Sequence, residues 1–225
     1  MPNQSDNLSS MHPKATPISA IIPAYNEAAR IAEVVTVAKA AGVFGEILVI
    51  DDGSNDGTAA AAGAEGVRVI THDKNMGKSR AMLTGLENTT AEIVAFLDAD
   101  LLNVSPEHIG LLTEPVVSGK AEAALAVFAG GRMATTLAQK ITPMISGQRC
   151  VLRRHLDGIE SWDARFGIET VINDHLRSKG IEQLIVQWPG AAQVMKEEKR
   201  GCLGGVISRL GMYRDILSAW VKTKR

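Results

Sequence analysis

A doubly wound α/β fold with a mostly parallel sheet, flanked by helices as in Rossmann-like proteins, is the fold class that the sequence predicts. Strand and helix signals alternate through the N-terminal half, and such alternation builds parallel sheets through right-handed crossovers. Carboxylates follow the second and fourth predicted strands directly, at the edge where ligands bind in these sheets. The 225 residues, 45% hydrophobic and 22% charged, suffice for one large domain or for one domain with a small appendage.

Four strands and three helices are expected in the N-terminal half. Short apolar runs predict strands at residues 18–23, 46–50, 67–70 and 91–97. Asn26 and Glu27 are predicted to cap a first helix that runs to about Ala41. A polar loop at 51–57 leads into an alanine-rich helix, and a third helix is predicted at about 77–87.

Signals in the C-terminal half are weaker. They predict helices at residues 106–118 and 169–179, and strands at 121–128 and 181–188. Gly180 is expected to end the second of these helices. Residues 146–149 are interpreted as a loop, followed by an apolar pair and two arginines.

Composition and charge exclude several classes of protein. Lys and Arg total 24 and Asp and Glu total 25, so the net charge of −1 lacks the basic excess of nucleic-acid-binding proteins. Residues 1–16 lack the basic and apolar regions of a signal peptide and are expected to be a disordered leader. No run approaches the roughly 18 apolar residues of a membrane span, and the two cysteines fit a reducing compartment. We expect a soluble, cytoplasmic protein whose membrane contact is at most peripheral, on the inner face.

Four polar segments occur in one order, each near the end of a predicted strand or the start of a helix. They are Pro23-Ala24-Tyr25-Asn26-Glu27, Asp51-Asp52-Gly53-Ser54-Asn55-Asp56-Gly57-Thr58, Asn75-Met76-Gly77-Lys78 and Asp98-Ala99-Asp100. Together they resemble the family 2 glycosyltransferases, which have the GT-A fold, over about residues 18–101 and more loosely through 146–154 and 166–170. The C-terminal portion resembles the short soluble branch around polyprenyl-phosphate and 3-phosphoglycerate glycosyltransferases.

This resemblance implies a division of the chain. Residues 17–195 would form a single GT-A domain, with a nucleotide-binding half at 17–101 and an acceptor half at 102–195. Residues 196–225 contain eight basic and three acidic residues, a net charge of 8 − 3 = +5, with an apolar stripe at helical spacing. Such a basic amphipathic helix packs on the domain or on a partner subunit, as in a homodimer, or lies on an anionic membrane surface.

The Asp98-Ala99-Asp100 segment is the DxD motif of this resemblance. Alternation along an extended segment puts both carboxylates on one side, and hard oxygen donors suit Mg²⁺ or Mn²⁺. The resemblance implies a metal that bridges the diphosphate and acts as a Lewis acid, with Asp100 as its more direct ligand and as a catalytic residue. Asp98 is implied to be both a metal ligand and part of the nucleotide site. The alternative is an acidic pair in a solvated loop or helix cap.

Asp52 is implied to accept a hydrogen bond from the base of the nucleotide. A carboxylate only accepts, so it selects a base with an N–H group, such as uracil or guanine. The alternative is loop capping, which is the role expected for Ser54 and Asp56.

The remaining nucleotide contacts are implied for the first and third segments. Backbone groups of Pro23, Ala24 and Tyr25, together with Glu27, would hold the base and ribose. Glu27 has an alternative role as an acid in the first turn of a helix. Lys78, near a helix start, is expected to bind a phosphate as a point charge, with a solvated lysine as the alternative.

The acceptor side is implied by Gly147, Gln148 and Arg149, which would contact the acceptor or the sugar. Arg149, Arg153 and Arg154 are interpreted as a basic cluster that suits a phosphate-bearing acceptor, with an exposed helix face as the alternative.

Glu169 occupies the position at which inverting relatives carry an acid that deprotonates the acceptor hydroxyl. In a retaining enzyme the same side chain would orient the sugar or the acceptor instead.

One position departs from the family pattern. Relatives often carry a histidine shortly before residues 194–199, where it completes the metal site, and here Gln193 aligns with it. A neutral amide oxygen is a poorer ligand than imidazole for Mn²⁺, so we expect weaker metal binding or a water in the third position. The five histidines are interpreted as structural or exposed.

The sequence thus predicts a metal-dependent hexosyltransferase that uses a UDP- or GDP-sugar and a hydroxyl or phosphate acceptor. The acceptor would be a polyprenyl phosphate or a small phosphorylated metabolite. One alternative is a nucleotide-sugar-binding protein that has lost transfer, which only the missing histidine supports. A second is a nucleotidyltransferase, against which the missing Gly-rich basic loop after the first strand argues. The sugar, the stereochemical outcome and the oligomeric state are left open.

Overall fold

The computed structural model describes residues 18–129, 146–160, 162 and 167–193, and a seven-stranded sheet lies at the centre of this part. The strands are β1 (Ile18–Ala24), β2 (Glu46–Asp51), β3 (Arg68–Thr71), β4 (Ile93–Phe96), β5 (Leu101–Leu102), β6 (Ala123–Ala129), β7 (Arg149–Leu152), β8 (Gln183–Pro189) and β9 (Ala192–Gln193). The helices are α1 (Ile31–Ala40), α2 (Thr58–Ala64), α3 (Lys78–Glu87), α4 (Pro106–Val117) and α5 (Ile168–Ser178), with a 3₁₀-helix at Arg153–His155.

The strand order of the sheet is β3-β2-β1-β4-β7-β6-β8. Strand β7 pairs antiparallel with both of its neighbours, whereas the other pairs in this sheet are parallel. A separate antiparallel ribbon joins β5 to β9. The prediction of a doubly wound and mostly parallel sheet is therefore confirmed.

Helices cover both faces of the sheet because successive side chains of a strand point to opposite faces. Ile22 packs in one buried cluster with Val35 of α1, and this cluster also contains buried residues of α2 and α4. Ile21 packs in a second cluster with Met82 of α3 and Ile172 of α5. Full burial of an Ile side chain contributes about 1.5–3 kcal/mol. The second cluster fixes α3 and α5, whose first turns contain Lys78 and Glu169.

A glycine allows α3 to lie against β1. A Cβ atom added at Gly85 would stand 2.3 Å from Cγ2 of Ile21. Any larger residue would push the helix away from the sheet. The close approach matters because α3 begins with Lys78.

The start of α1 differs from the prediction. The helix begins at Ile31, and its N-cap residue Arg30 makes no side-chain capping bond. Asn26 has φ +55° and its Oδ1 accepts a hydrogen bond from the amide of Asn55 at 3.0 Å. The prediction that Asn26 and Glu27 cap the helix is wrong, because this asparagine ties two loops together instead.

Strand β7 is the main element that the sequence interpretation missed. Its first residue, Arg149, pairs with Phe96 of β4, so the predicted loop ends one residue earlier, at Gln148. The two-residue strands β5 and β9 were also not predicted. The other predicted elements are found within two residues of their expected bounds, and Gly180, with φ +72°, follows the end of α5.

Two predicted segments lie outside the described residues: the leader at 1–16 and the basic segment at 196–225. Within the ranges that the structure describes, no helix has the length and apolar character needed to cross a membrane.

Candidate functional site

The predicted site residues come from strand ends that meet at one edge of the sheet. The carboxyl ends of β1 and β2 are aligned, because Ala24 pairs with Asp51. Strand β7 runs in the opposite direction, so its amino end lies beside the carboxyl end of β4, where Arg149 pairs with Phe96. The turn before β7 therefore reaches the same edge as the DxD motif that follows β4.

Asp98 contacts three side chains at this edge. Its Oδ1 lies 2.6 Å from Nζ of Lys78, and its Oδ2 accepts hydrogen bonds from Nε2 of Gln148 at 2.6 Å and Nε2 of Gln193 at 2.9 Å. Burial alone would raise the pKa of Asp98, but the Lys78 ammonium and the amide donors outweigh it and hold the pKa below the usual 3.8. The carboxylate is thus ionised and fixed in position.

Lys78 lies between two carboxylates. Its Nζ is 2.6 Å from Oδ1 of Asp98 and 2.7 Å from Oε1 of Glu169. Burial would lower the pKa of Lys78, but these two negative charges raise it above its usual value. The solvated-lysine alternative is therefore wrong. The expected contact with a phosphate stays a prediction.

Asp98 and Asp100 converge on a single atom. Nε2 of Gln193 lies 2.9 Å from Oδ2 of Asp98 and 2.7 Å from Oδ1 of Asp100. Two carboxylate oxygens that reach one nitrogen also reach one cation, so the donor set fits a hard divalent ion. No group of three His, Cys, Asp or Glu side chains suited to a metal occurs in the part of the chain that the structure describes. Gln193 is thus the third protein group at this point, and its role beside a metal stays a prediction.

Gly147 is required by the close packing of the turn against the two charged side chains. An added Cβ would stand 2.6 Å and 2.7 Å from the oxygens of Asp98 and 2.7 Å from Nζ of Lys78. The turn is held further by Ser146, whose Oγ donates to the carbonyl of Ala126 at 2.5 Å. This turn therefore touches the DxD motif directly, which the sequence interpretation did not foresee.

Arg149 is buried beneath the site. Its side chain donates to the carbonyl of Ser146 at 3.0 Å and to Oδ1 of Asn173 at 3.2 Å, while its Nε has no partner among the described residues. Burial lowers its pKa to about 10, against the opposing influence of Glu169 and Asp98. Direct contact of the Gln148 and Arg149 side chains with an acceptor stays a prediction, and both are only 1% exposed.

The predicted cluster of three arginines is not found. Arg149 begins β7, whereas Arg153 follows the other end of that strand and donates to the carbonyl of Thr89. Arg154 pairs with Glu122 on the surface at 2.9 Å. The prediction is wrong because β7 is an extended strand. Arg149 lies at one end of it, and Arg153 follows its opposite end.

Glu169 lies in the first turn of α5, and the left-handed N-cap residue Gly167 precedes it. Its side chain is 16% exposed and contacts Lys78. Because Lys78 also contacts Asp98, this one lysine side chain links the predicted acid to the DxD motif.

Asp52 is buried and binds the chain segment that precedes α3. Its Oδ1 accepts from Nδ1 of His72 and the amide of Met76, both at 2.8 Å, and its Oδ2 accepts from the amide of Gly77 at 2.7 Å. His72 in turn contacts Oγ1 of Thr84 at 3.0 Å. A carboxylate has about four acceptor positions, so three are in use, and contact with a nucleotide base stays a prediction.

The loops after β1 and β2 are tied together by side chains that bond to backbone amides. Ser54 accepts from the amide of Asn26 at 2.9 Å, and Asp56 accepts from the amide of Ala28 at 3.1 Å. Thr58 accepts from the amide of Glu27 at 2.8 Å. The capping role expected for Ser54 and Asp56 is confirmed. Pro23 and Ala24 lie in β1, and Tyr25 beside them is 42% exposed.

Two site residues were missed by the sequence interpretation. His72 bonds to Asp52, and Asn173 bonds to Arg149. These hydrogen bonds join residues that are distant in the sequence, so no local sequence pattern predicts them. Only His72 had a usable signal, because it lies two residues after a predicted strand, at the ligand-binding edge.

Known proteins resemble this chain in sequence. A family model described as Glycosyl transferase family 2 matches residues 19–175. Glucosyl-3-phosphoglycerate synthase of Mycobacterium tuberculosis is 34% identical over 112 residues, which are 46% of this chain and 35% of that protein. Undecaprenyl-phosphate 4-deoxy-4-formamido-L-arabinose transferase of Klebsiella pneumoniae is 36% identical over 118 residues, 48% of this chain and 36% of that protein. The matches thus span about a third of the length of these curated relatives.

Solved structures resemble the fold. Glucosyl-3-phosphoglycerate synthase from M. tuberculosis in complex with phosphoglyceric acid has a TM-score of 0.67 at 26% identity, over 80% of this chain and 72% of that one. The same enzyme in complex with Mn²⁺, uridine diphosphate and glucosyl-3-phosphoglycerate has a TM-score of 0.67 at 25% identity, over 87% of this chain and 80% of that one. Since the family model spans most of the sheet and the site described above, this chain belongs to glycosyl transferase family 2.

Proposed function

We propose that this chain transfers a sugar from a UDP-sugar to a phosphate-bearing acceptor, assisted by Mg²⁺ or Mn²⁺. The observation that carries the proposal is the convergence of Asp98, Asp100, Lys78 and Glu169 at one edge of the sheet. The names of both curated relatives contain a phosphorylated acceptor, and the solved neighbours include complexes with uridine diphosphate and Mn²⁺ or Mg²⁺. Membership of family 2 argues against the nucleotidyltransferase alternative.

The cation would be held by Asp100 and Asp98, with Gln193 beside them. When bound, it supplies Lewis-acid stabilisation of the diphosphate that leaves. Asp98 orients the neighbouring groups, because its oxygens already accept from Lys78, Gln148 and Gln193. Lys78 is held protonated at this point, and its charge is then available to a phosphate oxygen of the donor.

Glu169 is the residue proposed to act on the acceptor hydroxyl. In an inverting reaction it accepts the proton of that hydroxyl, and in a retaining reaction it orients the sugar or the acceptor. Its contact with Lys78 at 2.7 Å keeps the carboxylate close to the donor phosphates.

The donor nucleotide is proposed to lie along the tied loops. Backbone groups of Pro23, Ala24 and Tyr25, with Glu27, would hold the base and ribose, and Asp52 would use its remaining acceptor position for a base N–H. This arrangement favours uracil in view of the uridine diphosphate complexes of the neighbours.

The acceptor is proposed to be a small phosphorylated acid of the phosphoglycerate type, because the structural neighbours bind phosphoglyceric acid. A polyprenyl phosphate is the competing acceptor, supported by the second curated relative and by the basic composition of residues 196–225. The predicted peripheral membrane contact and homodimer belong to this part of the proposal.

The first test is calorimetric titration with UDP, GDP and their glucose or mannose conjugates, with and without Mn²⁺. Wild type should bind UDP compounds only with metal, and Asp100→Ala should lose this binding. Asp174→Ala, which removes an exposed carboxylate on α5, is the matched control and should bind normally. Binding by none of these nucleotides would contradict the proposal.

The second test follows label from the bound donor into 3-phosphoglycerate or into undecaprenyl phosphate in vesicles. Transfer to one of them identifies the acceptor class. Metal-dependent binding without transfer to any phosphorylated acceptor would instead favour the binding-protein alternative.

A further inference from the structure

The Gln193 amide occupies the point at which the two DxD carboxylates converge. Its Nε2 lies 2.9 Å from Oδ2 of Asp98 and 2.7 Å from Oδ1 of Asp100. The position is fixed by the backbone, since Gln193 of β9 pairs with Leu101, the residue directly after the motif. The side chain therefore faces the motif by register.

This orientation of the amide is incompatible with a cation at the same point. The NH₂ group of glutamine is a donor only, and its hydrogens carry partial positive charge. A divalent ion between the two carboxylates would meet those hydrogens at close range. The opposite end of the same side chain, Oε1, is a neutral oxygen ligand of the kind that Mg²⁺ and Ca²⁺ accept.

Asp98 has little freedom to adjust instead. Its two oxygens accept from Lys78 and Gln148 besides Gln193, and its side chain is 9% exposed. Gln193, in contrast, is exposed. Of the two side chains, Gln193 therefore has the greater freedom to turn.

We propose that Gln193 is a two-state residue that determines which metal the site accepts. Without a cation its NH₂ group bridges Asp98 and Asp100, and with a cation the amide is reversed so that Oε1 becomes a ligand. The resulting ligand set is oxygen only, so Zn²⁺, Co²⁺ and Ni²⁺ lose the extra affinity that an imidazole would give them, and the relative affinity for Mg²⁺ and Mn²⁺ is higher than at a site with histidine. The inference rests on the proposed function, because the cation that Gln193 would bind is the one proposed to assist sugar transfer.

The test compares wild type with Gln193→His in the full-length protein, titrated with Mg²⁺, Mn²⁺, Co²⁺, Ni²⁺ and Zn²⁺, alone and with UDP. Calorimetry and the Mn²⁺ electron paramagnetic resonance signal give the affinities. Gln193→His should bind Co²⁺, Ni²⁺ and Zn²⁺ at least about 10-fold tighter and Mg²⁺ no tighter, as expected when an imidazole replaces an amide. Gln187→His, at an exposed position of β8, is the matched control and should match wild type.

A second measurement follows the reversal itself. The side-chain amide resonance of Gln193, assigned by its absence in Gln193→Glu, should shift on addition of Mg²⁺ as its two hydrogen bonds to carboxylates are lost. Gln193→Glu should bind Mn²⁺ about 10-fold tighter, because a third carboxylate joins the site.

The outcomes separate this inference from the proposed function. An unchanged metal order in Gln193→His, an amide resonance insensitive to Mg²⁺, or no metal binding with or without UDP would overturn the inference. If metal preference changes as expected but no sugar is transferred, the inference holds and the proposed function fails. If sugar is transferred but the metal order is unchanged in Gln193→His, the proposed function holds and the inference fails.

Discussion

The two halves of the candidate site are built in different ways. In the first half, the loops after β1 and β2 bond mainly to each other, through Ser54, Asp56 and Thr58 to backbone amides. In the second half, Gln148 and Gln193 bond to the DxD side chains themselves. The first half is thus a scaffold that supports itself, whereas the second half acts directly on the charged groups.

This difference predicts which substitutions in the site should reduce activity most. A self-supporting loop has several bonds that share its position, so the loss of one is partly compensated. The side chains of the second half converge on one ion pair, Asp98 with Lys78. Substitutions in the second half should therefore cost more activity than substitutions in the loops.

The largest effect is expected for Glu169→Gln. The amide keeps the size of the side chain and still accepts from Lys78, but it takes up no proton, so we expect turnover to fall about 10²- to 10⁴-fold. Binding of the donor nucleotide should be nearly unchanged. Steady-state kinetics and calorimetry on the same preparation measure both quantities. Glu182→Gln, on an exposed residue, is the control, and an unaltered turnover in Glu169→Gln would remove this residue from the mechanism.

Gly147→Ala is expected to rank second. The new methyl group would stand 2.6–2.7 Å from Asp98 and Lys78, and such overpacking costs about 1–3 kcal/mol. If all of this cost falls on the state with bound donor, activity drops about 5- to 150-fold. Gly110→Ala is the matched control, because nothing lies within 4 Å of its added Cβ in α4. Normal activity in Gly147→Ala would show that the turn yields without disturbing the DxD motif.

Asp98→Asn should act on stability as well as on activity. The pKa of Asp98 is lower in the folded chain than its usual 3.8, so its contribution to stability is present above about pH 3.8 and is lost as the pH falls through the folded pKa. We expect Asp98→Asn to lose about 2 kcal/mol at pH 7, allowing for the partial exposure of Lys78. Urea unfolding at several pH values should show this difference shrinking with acidification.

The control for that series is Asp174→Asn, which breaks an exposed pair with Arg177 and should change the free energy of unfolding by less than about 0.5 kcal/mol. A difference between Asp98→Asn and wild type that stays constant down to pH 3 would contradict the assigned role of the carboxylate.

The smallest effect is expected for Asp56→Ala in the tied loops. Its carboxylate accepts from the amides of Ala28 and Thr58, and loss of such a capping group costs about 1 kcal/mol. Nucleotide affinity should fall only about 3- to 5-fold, as measured by calorimetry. If Asp56→Ala loses as much activity as Gly147→Ala, the contrast between the halves is wrong.

The sequence predicted the tied loops and the charged side chains of the site well because the signals of both are local. The DxD aspartates, Lys78 and Glu169 were placed at element ends by apolar runs, glycines and charged residues next to each other in the chain. The structure brings these four side chains together. The capping roles of Ser54 and Asp56 were predicted from the same kind of local sequence pattern.

The second half was predicted less well because its signals are long-range. The short run that forms β7 gives no sign that it pairs antiparallel between β4 and β6. Without that strand, Arg149 was interpreted as part of a basic cluster, although it is only 1% exposed. The amide that meets the DxD motif is 93 residues from Asp100 in sequence, and only the pairing of β5 with β9 shows why.

The β5–β9 ribbon contains only two residue pairs, Leu101 with Gln193 and Leu102 with Ala192. Strand β1, by contrast, is paired on both sides within the central sheet. Segments with so few bonds open locally, at a fraction of the free energy of global unfolding. Backbone amides of the ribbon should therefore exchange with deuterated solvent much faster than those of β1. Gln193, the third group of the proposed metal site, thus lies in a ribbon that should open more readily than the central sheet, so the proposed site should be able to open while the sheet beneath it stays folded.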